Sequence, residues 1–278
     1  MHRTRVITSI IGATLIIALI GWGSFALFWL LISSATVIGL LEFYNLAKGG
    51  NLPTYRLPGM LAGWLLSLAP FAAMGVRTGA MLPFTTALIL FAVTLIVLAM
   101  FSYSLLTKQP AQEAMTALAV TLFGIFYVAW LFMHLTLLRD LSHGREFVFY
   151  LLLLVWMGDT GAYYVGKSFG KHLLSPVISP KKTVEGAVGG LAATLLASIV
   201  AALTFLPHIR LIHAVILGIL LAVVAQIGDL CESLLKRSVN VKDSGTLLPG
   251  HGGILDRVDG LIFAAPVLYY YALVFLIA

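Results

Sequence analysis

From Val6 to Leu41 the chain carries no charged residue. A single membrane-spanning helix takes roughly 20 apolar residues, so this run is too long for one helix, and Gly21, Gly23 and Ser24 are the turn signal it contains. The same pattern fills the rest of the sequence. Apolar stretches of helix length are expected near 6–21, 24–46, 57–76, 82–104, 113–138, 146–168, 184–206, 210–236 and 256–277, a count of nine give or take one. Breaks fall at Asn51 with Pro53 and Pro58, at Arg77 to Gly79, at Lys108 to Pro110, at Arg139 to Arg145 and at Pro207 to Arg210. The expected fold is all-α, a polytopic integral membrane protein. Charged residues make up 10% of the chain, against about 25% in soluble proteins, and no soluble domain is left over. Met1 to Arg5 has the basic start of a signal peptide without a small-residue cleavage pattern, and a retained first helix is expected.

The net charge of +6 does not point to nucleic acid, because the basic residues lie in short loops between spans rather than on one soluble face. They report orientation instead. With the N-terminus inside, Arg3, Arg5, Lys48, Arg56, Lys108, Lys167, Lys171, Lys181, Lys182, Lys236, Arg237, Lys242 and Arg257 fall on one side, and only Arg77, Arg139, Arg145 and Arg210 on the other. The positive-inside bias puts the first side in the cytoplasm, which implies a multi-pass protein of the inner (plasma) membrane. The single cysteine, Cys231, excludes an intrachain disulfide framework and is read as a helix-packing residue.

Acidic residues are concentrated late in the chain. Asp159, Glu185, Asp229, Glu232, Asp243, Asp256 and Asp259 lie between positions 159 and 259, whereas the first 110 residues hold only Glu42. Residues 1–110 are therefore expected to be scaffold helices, and 111–278 the region that carries chemistry.

Gln226, Asp229, Ser233 and Lys236 recur at three- and four-residue spacing on one helical face. An Asp229 to Lys236 structural pair is one reading of that face; a charged group facing a cavity is the other. A glycine-rich loop follows, with Arg237, Lys242, Asp243, Gly250, His251, Gly252 and Gly253, and then Asp256, Arg257 and Asp259. Asp256 and Asp259, three apart at a helix start, suit Mg²⁺ with substrate phosphates. They also suit a helix cap and dipole partner. A second cluster runs from Gly158-Asp159-Thr-Gly to Ser179-Pro-Lys181-Lys182-Thr183-Val-Glu185. Its lysines precede a helix start, where a helix N-terminus favours an anion, although paired lysines at a membrane edge also anchor headgroups. The histidines other than His251 lack metal-ligand spacing.

The run Ser233-x-x-Lys236-Arg237-x4-Lys242-Asp243-x-Gly245-x3-Pro249-x-His251-Gly-Gly-x-x-Asp256-Arg257-x-Asp259 resembles the signature of the phosphatidate cytidylyltransferases, the CDP-diacylglycerol synthases. The segments around Asp159 and Ser179 to Gly186 are similar to that family too, while the N-terminal half resembles it only in hydropathy. The resemblance implies condensation of CTP with phosphatidic acid to give CDP-diacylglycerol and pyrophosphate. It implies Mg²⁺, with room for a second cation, held by Asp229, Asp256 and Asp259. It also implies a homodimer in the lipid bilayer. On this expectation Lys236 joins the three aspartates in catalysis. Lys181, Lys182, Arg237, Lys242, Asp243, His251, Arg257, Asp159 and Glu185 bind substrate. The alternatives are the same transfer to an ether or isoprenoid lipid phosphate, a CDP-alcohol phosphotransferase, or a cation-coupled transporter using Asp159 and Asp229.

Overall fold

The structure, a computed structural model, describes residues 14–73, 82–107, 110–245 and 252–277. Helix α1 covers residues 14–22. It is followed by α2 (Phe25–Gly49), α3 (Arg56–Ala73), α4 (Leu82–Leu106), α5 (Ala111–Gly124), a π-helical turn (Ile125–Trp130), α6 (Leu131–Asp140) and α7 (Gly144–Phe169). A two-stranded hairpin, β1 (Leu173–Ser175) and β2 (Ser179–Thr183), then leads to α8 (Val184–Thr204), α9 (Leu211–Ser238) and α10 (Leu255–Phe275). Among the described residues seven helices are long and apolar enough to cross a membrane: Phe25–Gly49, Ala87–Leu106, Ala111–Asp140, Gly144–Phe169, Val184–Thr204, Leu211–Ser238 and Leu255–Phe275. The expected spans 6–21 and 57–76 run beyond the described residues, and their described parts are helical as α1 and α3. The expected signals at Met1 to Arg5, Arg77, Lys108, Gly250 and His251 lie outside the described residues.

Local chemistry accounts for the boundaries. Ser24 ends the first apolar run as expected and caps α2, its hydroxyl accepting from Leu27 N at 3.3 Å. Asn51 follows α2 at φ 57°, a left-handed position that asparagine tolerates better than most residues. Thr183 caps α8 in the same way, accepting from Gly186 N at 3.1 Å.

The helices divide into two compact units. The first comprises the described residues up to Asp140 together with Ser238–Asp256, and the second Leu141–Arg237 with Arg257–Ala278. The expected division at residue 110 concerns role; the packing boundary falls after Asp140. In the first unit, polar groups tie apolar helices together. Trp29 donates to the Ser67 carbonyl at 2.7 Å and the Ser33 and Ser67 hydroxyls are 3.0 Å apart, joining α2 to α3. Tyr44 donates to the Thr121 carbonyl at 3.0 Å, joining α2 to α5. Such bonds hold helices where burial in lipid gives no hydrophobic drive. In the second unit Tyr150 and Ser198, 2.6 Å apart, do the same between α7 and α8.

Candidate active site

Two rows of small residues bring α7 and α8 together. Gly158, Ala162 and Gly166 recur every four residues on α7, and Gly186, Gly190 and Thr194 on α8, the spacing that lets membrane helices approach closely. A Cβ on Gly158 would lie 2.7 Å from the Thr194 hydroxyl, one on Gly190 2.9 Å from the Gly158 carbonyl, and one on Gly186 2.9 Å from the Ala162 carbonyl. The seam therefore excludes larger residues and sets Asp159, next to Gly158, level with the Gly190 to Thr194 stretch in the middle of α8.

The hairpin between these helices carries Lys181 and Lys182 on β2. It is pinned on both sides. Glu185, in the first turn of α8, accepts from the amides of Lys171 at 3.0 Å and His172 at 3.2 Å, and its other oxygen is 2.6 Å from His172 Nδ1. From α9, Arg237 donates to the Ile178 carbonyl at 3.3 Å, and Asp229 forms an ion pair with Lys182.

Helices α9 and α10 touch through glycine as well. A Cβ on Gly228 would lie 2.6 Å from the Asp259 carbonyl, and one on Gly260 3.3 Å from the Ala225 carbonyl. Asp229 and Asp259, each adjacent to one of these glycines, are consequently within electrostatic reach of each other, as is Asp159.

A cavity of about 510 Å³ opens inside this unit. Along α7 its lining passes from Leu154 and Val155 through Asp159 to Lys167, and along α9 from Ala222 through Gln226 to Asp229; Lys181 and Lys182 close it from the hairpin. It thus grades from apolar to charged. Among the described residues no three His, Cys, Asp or Glu side chains converge as a ready-made metal site.

Lys236 is placed differently from its expected association with Asp229. It is 9% exposed and pairs with Glu232 one turn back, itself 2% exposed. Asp229 and Lys236 share a face by spacing, yet the structure gives them different partners.

The remaining expected residues belong to the first unit, apart from Arg257, which is exposed in the second. Lys242 and Asp243 are exposed. Asp256 turns inward: its Oδ2 accepts from Ser244 N at 2.9 Å, the Ser244 hydroxyl at 2.9 Å and Gly253 N at 2.8 Å. Glu42, 4% exposed on α2, accepts from Ile254 N at 2.9 Å and Leu255 N at 3.0 Å, with the Ser244 hydroxyl at 3.3 Å. The sequence reading gave Glu42 no role. The signal was there, since it is the one acidic residue in the first 110 and sits in an apolar helix, where ionisable groups are costly.

The model of the cytidylyltransferase family matches residues 3–275. The chain belongs to the cytidylyltransferase family. The chain is also similar to relatives named phosphatidate cytidylyltransferase, including two over 96% of its length. The Bacillus subtilis protein is 36% identical over 274 residues, 96% of each chain. That of Staphylococcus aureus strain COL is 34% identical over 270 residues, 96% of this chain and 97% of the relative. The Staphylococcus saprophyticus protein is 45% identical over 169 residues, 61% of this chain and 64% of the relative. Similarity to other cytidylyltransferases therefore extends through the N-terminal half, which resembled the family only in hydropathy.

Proposed function

We infer that this chain transfers the cytidylyl group of CTP to phosphatidic acid, forming CDP-diacylglycerol and pyrophosphate. The observation that carries the reading is similarity along 96% of the chain to a relative named for that reaction. The cavity supports it, because a lipid phosphate needs an apolar wall beside charged groups, and Leu154 and Val155 run on to Asp159 and Lys167 in that order.

In the reaction an oxygen of the lipid phosphate monoester forms a bond to the α-phosphorus of CTP, and the bond from that phosphorus to the bridging oxygen breaks, releasing pyrophosphate. The second pKa of a phosphate monoester is about 6, so the attacking oxygen is largely deprotonated at neutral pH and needs no strong general base. What opposes the step is repulsion between two polyanions. Lys181 and Lys182, aimed by the pinned hairpin, supply fixed positive charge.

The donor set fits Mg²⁺. This cation binds through one or two carboxylates plus substrate phosphates, and Asp229 and Asp259 are neighbouring hard-oxygen donors. Asp256 joins them in the proposal through its i, i+3 spacing to Asp259 and the motif. When bound, Mg²⁺ would neutralise the triphosphate and the leaving pyrophosphate. Lys182 then has two partners to choose between, Asp229 in the resting protein and phosphate when CTP arrives. The same reading puts the site on the cytoplasmic side of the inner membrane, where CTP is made, and has the protein act as a homodimer.

The test is direct. Protein purified in detergent, with no sealed membrane, should form a CDP-lipid from CTP and phosphatidic acid. Turnover only with an isoprenoid lipid phosphate would keep the chemistry and change the acceptor; no CDP-lipid from any acceptor would overturn the reading.

A further inference from the structure

Glu42 is a buried carboxylate on a helix far in sequence from every motif residue, and its hydrogen bonds go to the signature loop, at Ser244 and at the amides of Ile254 and Leu255. It accepts from Ile254 N and Leu255 N, the amides at the start of α10. The first turn of a helix leaves N–H groups without intrahelical partners, and its dipole favours a negative charge there. α10 thus receives a cap from a residue more than two hundred positions earlier in the chain. The Ser244 hydroxyl lies 3.3 Å from Glu42 Oε2 and 2.9 Å from Asp256 Oδ2. It has one hydrogen to give, so it links the two carboxylates without satisfying both at once.

The neighbouring glycines follow from this arrangement. A Cβ on Gly245 would lie 2.8 Å from Glu42 Oε1, and one on Gly253 2.5 Å from Glu42 Oε2. Gly252 holds φ at +80°, and a Cβ there would come within 2.7 Å of Asp256 Oδ2. Three glycines of the motif are thus required by two carboxylates, one inside the motif and one outside it.

We propose that Glu42 is a positioning residue for the transfer reaction: through Ser244 and the amides of Ile254 and Leu255 it fixes the start of α10 and the orientation of the Asp256 carboxylate. The proposal rests on the cytidylyl-transfer reading of this chain and adds a residue that the motif does not contain. Gln at position 42 keeps the shape but turns an NH₂ toward the Ile254 or Leu255 amide, donor against donor, so one bond is lost. Glu42→Asp keeps the charge with a shorter reach.

The experiment uses the full chain in detergent and reads kcat and KM for CTP together with amide hydrogen exchange over 252–256. Glu42→Gln is expected to lower kcat about a hundredfold, the cost of a small misplacement, with little change in KM. The Ile254 and Leu255 amides should exchange about tenfold faster, as the loss of one hydrogen bond implies. Glu42→Asp should recover part of the rate. A double variant, Glu42→Gln with Asp256→Asn, should be no slower than Asp256→Asn alone, since Glu42 acts through Asp256. Full activity with unchanged exchange, or losses that simply multiply, would overturn the proposal. If Glu42→Gln does not fold, Ser244→Ala takes its place, with a smaller fall in kcat expected and an unchanged rate counting against the linkage. Wild-type protein that makes no CDP-lipid would defeat the functional reading, and the exchange measurement would still decide whether Glu42 holds the start of α10.

Discussion

Glu42 and Asp256 in the first unit are met by backbone amides and a serine hydroxyl at 2.8 to 3.3 Å, whereas in the second unit Asp159, Asp229 and Asp259 bear on one another's charge, with Lys182 paired to Asp229. The first arrangement holds Glu42 and the Oδ2 of Asp256 with backbone amides and a serine hydroxyl, which are part of the fold. In the second, Asp229 pairs with the Lys182 ammonium at the wall of a cavity, where a phosphate or a cation can exchange for that partner. Glu42 and the Oδ2 of Asp256, met by the fold, set geometry; Asp229, paired to a lysine rather than to backbone amides, is the carboxylate most open to a ligand. That contrast separates residues which read alike in the sequence.

The largest effect should come from the exchangeable set. Asp259→Asn removes a charge at the α9 and α10 contact while preserving size, and CDP-lipid formation should fall about a thousandfold, the scale seen when a transition-state charge partner is lost. Melting temperature and elution volume in detergent would show that folding is kept. A near wild-type rate would move Asp259 to the structural class.

Lys236→Ala sharpens the comparison from the other side. Breaking the buried pair takes the lysine's charge away from Glu232, which is 2% exposed, a loss of about 3–5 kcal/mol of stability. Thermal unfolding should report it, and KM for CTP should stay nearly constant in whatever protein remains folded. A large rise in KM with normal stability would return Lys236 to the substrate.

Lys182→Ala should reduce activity about a hundredfold through the lost fixed charge and raise KM for CTP. Substitution of Lys182 by arginine should retain much of the rate, because the charge rather than the ammonium shape is needed. The smallest change is expected from Glu185→Gln. It loosens the turn at Lys171 and His172 and should cost about tenfold, the value of one hydrogen bond to a charged group, read as faster exchange at those two amides.

Much of the architecture is legible in the residues themselves. The expected spans at 184–206, 210–236 and 256–277 correspond to Val184–Thr204, Leu211–Ser238 and Leu255–Phe275, because apolar length and the turn chemistry at Pro207 and Thr183 act locally. The hairpin was not legible. Its strands are three and five residues long, and Pro180 inside β2 argues against a strand in any sequence reading. Nor could spacing show that Lys236 faces Glu232 rather than Asp229, since both lie within two turns on the same helix. Glu42 stood out as a lone acidic residue in an apolar helix, but its partners were not legible, because they lie more than two hundred residues away and nothing local to α2 predicts them.

The central claim is that the cavity carboxylates and lysines of the second unit bring CTP and a lipid phosphate together, and following the label of CTP tests it most directly. With Mg²⁺ present, wild-type protein in detergent should move phosphorus-32 from the α position of CTP into the lipid and leave label from the γ position in pyrophosphate. A chelator should stop the transfer, and folded Asp229→Asn protein should barely perform it. Full transfer by Asp229→Asn at ordinary Mg²⁺, or by the wild type without any divalent cation, would contradict the account.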